Sequence, residues 1–256
     1  MEGPTLSVEK DRVGRYAVFT ISRPQVRNAL SMQWWDEFSS AVAEFNEDSE
    51  MRAGILTGAG SAFCAGRDLK ELASLTPDER SARVPSSAQR ALCSSSPKPF
   101  ICAVNGMAIG AGVERALDCD IRLASCNATF RLPEPRWGMV AATAVHLLPR
   151  AVGLGNALFL LLTGEEVDAQ TALRMGLVQE VLSEEELLPR ARQLASSVAK
   201  LDPGSVAASK EVAHLARLRE SQEAIMRLQQ IRSMRPDLSA QGAAAFVAKQ
   251  DPTWGM

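Results

Sequence analysis

The chain has 256 residues, 46% of them apolar and 23% charged, enough to bury the core of one large domain or of one domain with an appendage. Its formal net charge is −2 with the two signs interspersed, so nucleic acid and anionic membrane find no basic patch to neutralise. Five cysteines without a C-x-x-C pair, and two histidines, point away from a disulfide framework and from a metal centre.

The first residues carry no apolar core of a signal peptide, and the apolar stretches around Ala157–Leu162 and Met139–Leu148 are too short or too broken to span a bilayer. The expectation is a cytoplasmic protein. Leu6–Val8 and Tyr16–Ile21 read as paired strands joined by a turn near Gly14. Leu30–Phe45 reads as a helix, with Trp35, Phe38, Val42 and Phe45 at three- and four-residue spacing and Ser31 as N-cap. Ala53–Thr57 is a short strand ended by the Gly58–Gly60 turn. The polar stretch Thr76–Ser96 is helix or loop. Phe100–Val104 has the continuous apolar character of a buried strand; a turn at Asn105–Gly106 leads to a helix from about Ala111. Ile121–Ala124 and Thr129–Arg131 are strand-like.

After Pro133 the pattern predicts helices. Asp168 caps one that Gly176 ends, Ser183 and Glu186 form a capping box, and Asp202–Pro203 opens another. From Asp202 onward the chain reads as helix only. The fold class is therefore α/β with a C-terminal helical appendage, divided into a core over 1–199 and a helical region over 200–256.

Two glycine-rich stretches, Gly58–Leu72 and Val104–Asp120, each follow an apolar strand and run toward a helix. Glycine lets backbone N–H groups approach a ligand, and a helix start adds partial positive charge. Two such turns aimed at one point make a pair of donors for a developing oxyanion. A dinucleotide reading of Gly106, Gly110 and Gly112 fails, because the spacing is not G-x-G-x-x-G. Glu114 follows the second stretch among the apolar residues Val113, Ala116 and Leu117, and Glu134 sits between Pro133 and Pro135. Two carboxylates in apolar settings suit general acid–base chemistry. Cys64, Cys93, Cys102, Cys119 and Cys126 read as small apolar residues, and Cys64 has no base near in sequence. His146 and His214 are expected to pack or face solvent, and Glu184–Glu186 is a helix start.

These motifs, in this order and spacing, resemble the crotonase (enoyl-CoA hydratase/isomerase) superfamily. The resemblance runs from Arg27-Asn28-Ala29-Leu30 through both glycine turns and Leu162–Val181 to the tail Ala243–Pro252. It implies a spiral of repeated ββα units with C-terminal helices that build homotrimers, often paired into homohexamers. It implies an acyl-CoA ligand whose thioester oxygen is held by the backbone N–H groups of Arg67 and Ala111. Ala65, Gly66, Asp68, Leu69, Lys70 and Gly110 would line the CoA site, with Arg27 a weaker candidate for a phosphate contact. Glu114 and Glu134 fall where the family's hydratases carry their two acids, which implies an enoyl-CoA hydratase of fatty acid and lipid metabolism. No cofactor is implied beyond the CoA of the substrate. Isomerisation on the same scaffold, or acyl-CoA binding without turnover, are the alternatives. Three features depart from the family's hydratases: Ala111 at a position usually glycine, Met139–Val145 in place of a Pro–Gly-rich run, and Pro135 with Trp137 beside Glu134. Trp137 reads as core packing ahead of a limit on the acyl group.

Overall fold

The computed structural model describes residues 3–76, 93–214, 226, 230 and 238–250. Strands β1 (Leu6–Asp11) and β2 (Tyr16–Ile21) pair antiparallel, and their turn is closed by Gly14 N–H donating to Asp11 Oδ1 at 2.7 Å. Helix α1 (Met32–Glu47) begins later than the apolar spacing suggested. Ser31 caps it, its Oγ accepting Trp34 N–H at 3.2 Å, while Leu30 stays extended and bridges Arg67.

The chain then repeats one unit. Strands β3 (Ala53–Gly58) and β4 (Ala62–Cys64) lead to α2 (Leu69–Ser74), β5 (Phe100–Val104) and β6 (Met107–Ile109) lead to α3 (Ala111–Asp118), and β7 (Ile121–Ser125) precedes β8 (Thr129–Arg131). The first strand of each pair joins a six-stranded sheet, in which β3, β5 and β7 are parallel neighbours; the second joins a four-stranded sheet, in which β4, β6 and β8 are parallel neighbours. Each circuit thus advances both sheets by one strand, the spiral of ββα units that the resemblance implies.

Both faces of the larger sheet are covered, and the alternation along its strands shows how. Phe100, Cys102 and Val104 face α1, whereas Ile101 and Ala103 face α7 (Glu184–Ala199), whose Leu187, Ala191 and Ala195 lie on that side. On the α1 face the rings of Phe19, Phe45 and Phe100 meet edge-on or tilted with centroids 5.3–5.5 Å apart. Truncating a ring this buried to alanine costs about 3–5 kcal/mol.

Beyond Pro133 come a 3-10 turn (Glu134–Trp137), α4 (Ala144–Val152), α5 (Leu154–Thr163) and α6 (Ala169–Met175). Two strands interrupt this series: β9 (Val167–Asp168) against β8, and β10 (Glu180–Leu182) against β7. That corrects the expectation of helices alone after Pro133. Strands of two and three residues leave no periodicity to read. The caps at Asp168, Gly176 and Ser183–Glu186 lie where expected, and Asp202 Oδ1 accepts Ser205 N–H at 2.8 Å at the start of helix α8 (203–214). Helix α9 (Leu238–Ala248) closes the described chain. Most of the stretch Thr76–Ser96 and parts of the region 200–256 lie outside the described residues.

His214 does more than pack or face solvent. Its Nε2 lies 2.9 Å from Asp120 Oδ1, and Lys210 Nζ lies 2.8 Å from Asp120 Oδ2. These contacts fasten α8 to the start of β7. His214 and Lys210 hold the Asp120 carboxyl below the usual carboxylate range against the opposing effect of its burial. Among the described residues, no helix is long and apolar enough to cross a membrane.

Candidate active site

The first glycine turn is held from below by Asn28. This side chain is fully buried, donates from Nδ2 to the carbonyls of Ala59 and Ala62 at 2.9 and 2.7 Å, and accepts Arg23 N–H at 3.0 Å. Its backbone sits in the left-handed region at φ 58, as does that of Arg27 at φ 52. The carbonyl of Arg27 accepts Ala65 N–H at 2.9 Å, so exposed Arg27 is tied to the turn by its backbone. The next contacts form a parallel bridge. Leu30 N–H donates to Gly66 O at 2.7 Å and Asp68 N–H donates to Leu30 O at 3.0 Å. In such a bridge the residue between the two contacts turns its own N–H away from the partner strand, and that residue is Arg67.

The second turn meets the first at Gly66. A β-carbon there would lie 2.8 Å from Ile109 O and 3.6 Å from Ala111 N, and the φ of 96 already requires glycine. Ala111 opens α3, so its N–H is one of those that a helix start leaves without an intrahelical acceptor. Gly112 presses on β4, where a β-carbon would lie 2.5 Å from Cys64 O. Arg67 and Ala111, read from sequence as a donor pair, thus lie on two turns in direct contact. The close approaches at this junction fall on Gly66, Gly110 and Gly112.

Both acids are at this junction. Glu114 is 8% exposed and Glu134 9%. Glu114 lies on the first turn of α3, and its Oε1 accepts the N–H groups of Thr143 and Ala144 at 2.6 and 3.2 Å. Glu134 opens the 3-10 turn, and a β-carbon on Gly110 would lie 2.9 Å from its Oε1. Its Oε2 is buried without a hydrogen-bond partner among the described residues. Burial first, and the neighbouring charge of Glu114 second, push the Glu134 carboxyl up to about 7. A carboxyl poised there exchanges protons in both directions at neutral pH.

The remaining residues read from sequence divide. Ala65, Gly66 and Gly110 belong to the paired turns. The side chain of Asp68 is committed elsewhere: it caps α2 by accepting Glu71 N–H at 3.2 Å and pairs with Arg23 Nη1 at 3.0 Å. Leu69 is half-buried on α2 and Lys70 is exposed. Cys64 accepts Gly66 N–H at 3.3 Å, and burial pushes its thiol up to about 12, which fits a packing residue and not a nucleophile. Among the described residues no group of three His, Cys, Asp or Glu side chains is arranged to hold a metal ion.

Two features of the site escape the sequence. The Met139–Val145 run, which reads as a mere departure, supplies the amides that hold Glu114; its sequence gave no sign of this, because the donors are main-chain atoms. Gly242, on α9, touches the backbone of Trp137 at the end of the turn that carries Glu134.

The family model for enoyl-CoA hydratase/isomerase matches residues 13–256. The chain is 38% identical over 214 residues to the short-chain-enoyl-CoA hydratase of Clostridium acetobutylicum, covering 82% of this chain and 81% of that protein. The crystal structure of an enoyl-CoA hydratase/isomerase from Pseudoalteromonas atlantica superposes with a TM-score of 0.83 at 32% identity, covering 98% of this chain and 100% of that one. An enoyl-CoA hydratase from Mycobacterium smegmatis superposes with a TM-score of 0.78 at 35% identity, covering 91% and 98%. Spiral, paired turns and overall likeness agree, and the chain belongs to the enoyl-CoA hydratase/isomerase family of the crotonase superfamily.

Proposed function

We propose that the protein adds water reversibly across the double bond of a 2-enoyl-CoA thioester. One observation supports this reading most: two nearly buried carboxyl groups, Glu114 and Glu134, lie together beside the turn that opens α3, and one is pushed up to about 7. Binding alone gives no reason to bury two acids side by side, since their mutual repulsion costs stability.

In this reading the thioester oxygen accepts the N–H groups of Arg67 and Ala111, which gain strength as negative charge develops on it. Each such donor contributes roughly 3–4 kcal/mol to lowering the barrier. Water lies between the two acids. Glu114, fixed by its two amides, orients the water and helps deprotonate it. Glu134 takes part in water activation and delivers a proton to the α-carbon. Hydroxyl bonds to the β-carbon, the proton to the α-carbon, and the two carboxyl groups together end in the protonation state in which they began.

The CoA moiety would run along Ala65, Gly66, Asp68, Leu69, Lys70 and Gly110, with Arg27 near its phosphates. No cofactor is called for beyond the CoA of the substrate. A homotrimer or homohexamer suits the exposed apolar stripe on α5: Leu154, Leu158 and Leu162 at four-residue spacing, with Phe159. We place the protein in the cytoplasm, acting on fatty acyl or related thioesters.

A panel of 2-enoyl-CoA esters beginning with crotonyl-CoA tests the activity. Loss of the conjugated double-bond absorbance with formation of the 3-hydroxyacyl ester is expected. Exchange of α-protons without hydration would mean isomerase-type chemistry instead.

A further inference from the structure

We propose that Gly242, on the C-terminal helix α9, is a positioning residue for Glu134, setting the carboxyl group's place by seating α9 on the backbone of Trp137. The proposal rests on the hydratase reading for its effect on rate, but its geometric part can be tested without turnover.

The turn Glu134–Trp137 is short, and main-chain bonds couple its ends. Gly138 N–H donates to the carbonyls of Glu134 and Pro135, and Met139 N–H donates to Glu134 O at 3.0 Å. A shift of Trp137 is therefore felt at Glu134. On the inner side the turn rests near Gly164, where a β-carbon would lie 3.4 Å from Pro133 Cα. On its other side lies α9. The contact there is backbone on backbone. A β-carbon on Gly242 would fall inside the van der Waals envelope of Trp137 O and C, and 2.7 Å from its Cα. No side chain can rotate away to relieve that overlap, so helix or turn must move.

Glu134 is the group that such a movement reaches. Its Oε2 makes no hydrogen bond among the described residues, and the hydrogen bond its carboxyl does receive comes from Glu134's own backbone N–H, so main-chain placement and packing fix its direction. Glu114 on α3 is the charged group beside it. A turn displaced by a fraction of an ångström changes both the burial of Glu134 and its distance from Glu114.

The test uses the full-length protein and three variants, Gly242→Ala, Ala243→Gly and Ala244→Ser. Ala243 is fully buried, so Ala243→Gly loosens the same seat without adding an atom, and Ala244 is exposed. The protonated carboxyl of Glu134 is followed by its infrared C=O band, assigned as the band that Glu134→Gln removes. In the parent protein it should titrate near 7. Gly242→Ala should move that midpoint toward ordinary carboxylate values and lower kcat by about 100-fold while binding of butyryl-CoA changes little. Ala243→Gly should move both in the same direction by less, and decides the matter if Gly242→Ala does not fold. Ala244→Ser should match the parent. An unmoved midpoint in the folded Gly242 and Ala243 variants overturns the proposal, as does a parallel loss of butyryl-CoA binding and kcat with no change in titration. If no 2-enoyl-CoA ester is turned over by the parent, the hydratase reading fails, and the infrared midpoints still judge Gly242.

Discussion

Glu114 Oε1 accepts the N–H of Thr143 at 2.6 Å, and this bond makes a side chain of α3 the cap of α4. Thr143 occupies the N-cap position but makes no side-chain capping bond of its own. The carboxylate takes that place, receiving Ala144 N–H as well. The acid that would orient water is thereby locked to the scaffold on one oxygen.

This double duty separates two substitutions. Glu114→Gln retains a carbonyl oxygen for the two amides and should leave stability within about 0.5 kcal/mol, whereas Glu114→Ala should lose about 1–2 kcal/mol. Both should lose most hydration activity. Denaturant unfolding beside initial rates reads the two effects independently.

The raised carboxyl of Glu134 sets a pH dependence of stability. Folding lifts its pKa from 4.5 to about 7, so the folded state holds this proton longer than the unfolded state. Its contribution is most favourable below 4.5 and is lost as pH rises toward 7. The full difference is about 3 kcal/mol. Glu134→Gln should abolish this fall, and should be more stable than the parent at pH 8 while about 100-fold or more slower. Unfolding free energies of the two proteins between pH 5 and 8 check the sign.

Asn28 is expected to matter for stability and for catalysis through one set of bonds. Asn28→Ala leaves the carbonyls of Ala59 and Ala62 and the N–H of Arg23 without a partner in a buried site. The cost should be about 2–4 kcal/mol. The turn bearing Arg67 should loosen with it, so kcat should fall in protein that is still folded.

Gly110 stands at φ 54 and ψ −116 against Glu134 Oε1, a backbone and a spacing that together exclude a side chain. Gly110→Ala should therefore displace both the Ala111 amide and Glu134. Loss of the Ala111 amide, one of the two proposed oxyanion donors, should by itself lower hydration by more than about 100-fold.

Much of this site could be read before the fold was known. Glycines at 66 and 110 and acids at 114 and 134 carry their reasons in residue type, because conformational freedom and buried charge are local properties. Element boundaries were less legible: β4 and β6 are each three residues long and have no period to detect. Least legible were contacts made by main-chain atoms. Thr143 and Ala144 hold Glu114 with amides that any residue but proline could supply. Gly242 is recognisable only from the Trp137 carbonyl it meets, on a turn distant in sequence. The contacts of the Asp68 side chain escaped the sequence for a related reason. Its position at the head of α2 and the arrival of Arg23 draw its side chain into structure.

The central claim is that Glu114 and Glu134 act on one water beside the paired amide turns. Rates of crotonyl-CoA hydration for the parent, Glu114→Gln, Glu134→Gln and the double variant test it most directly. The account predicts that each single change removes most of the activity and that the double variant is scarcely slower than the worse single one, as for groups that work as a unit. A Glu114→Gln protein with the parent's hydration rate, or two losses that multiply independently, would contradict it.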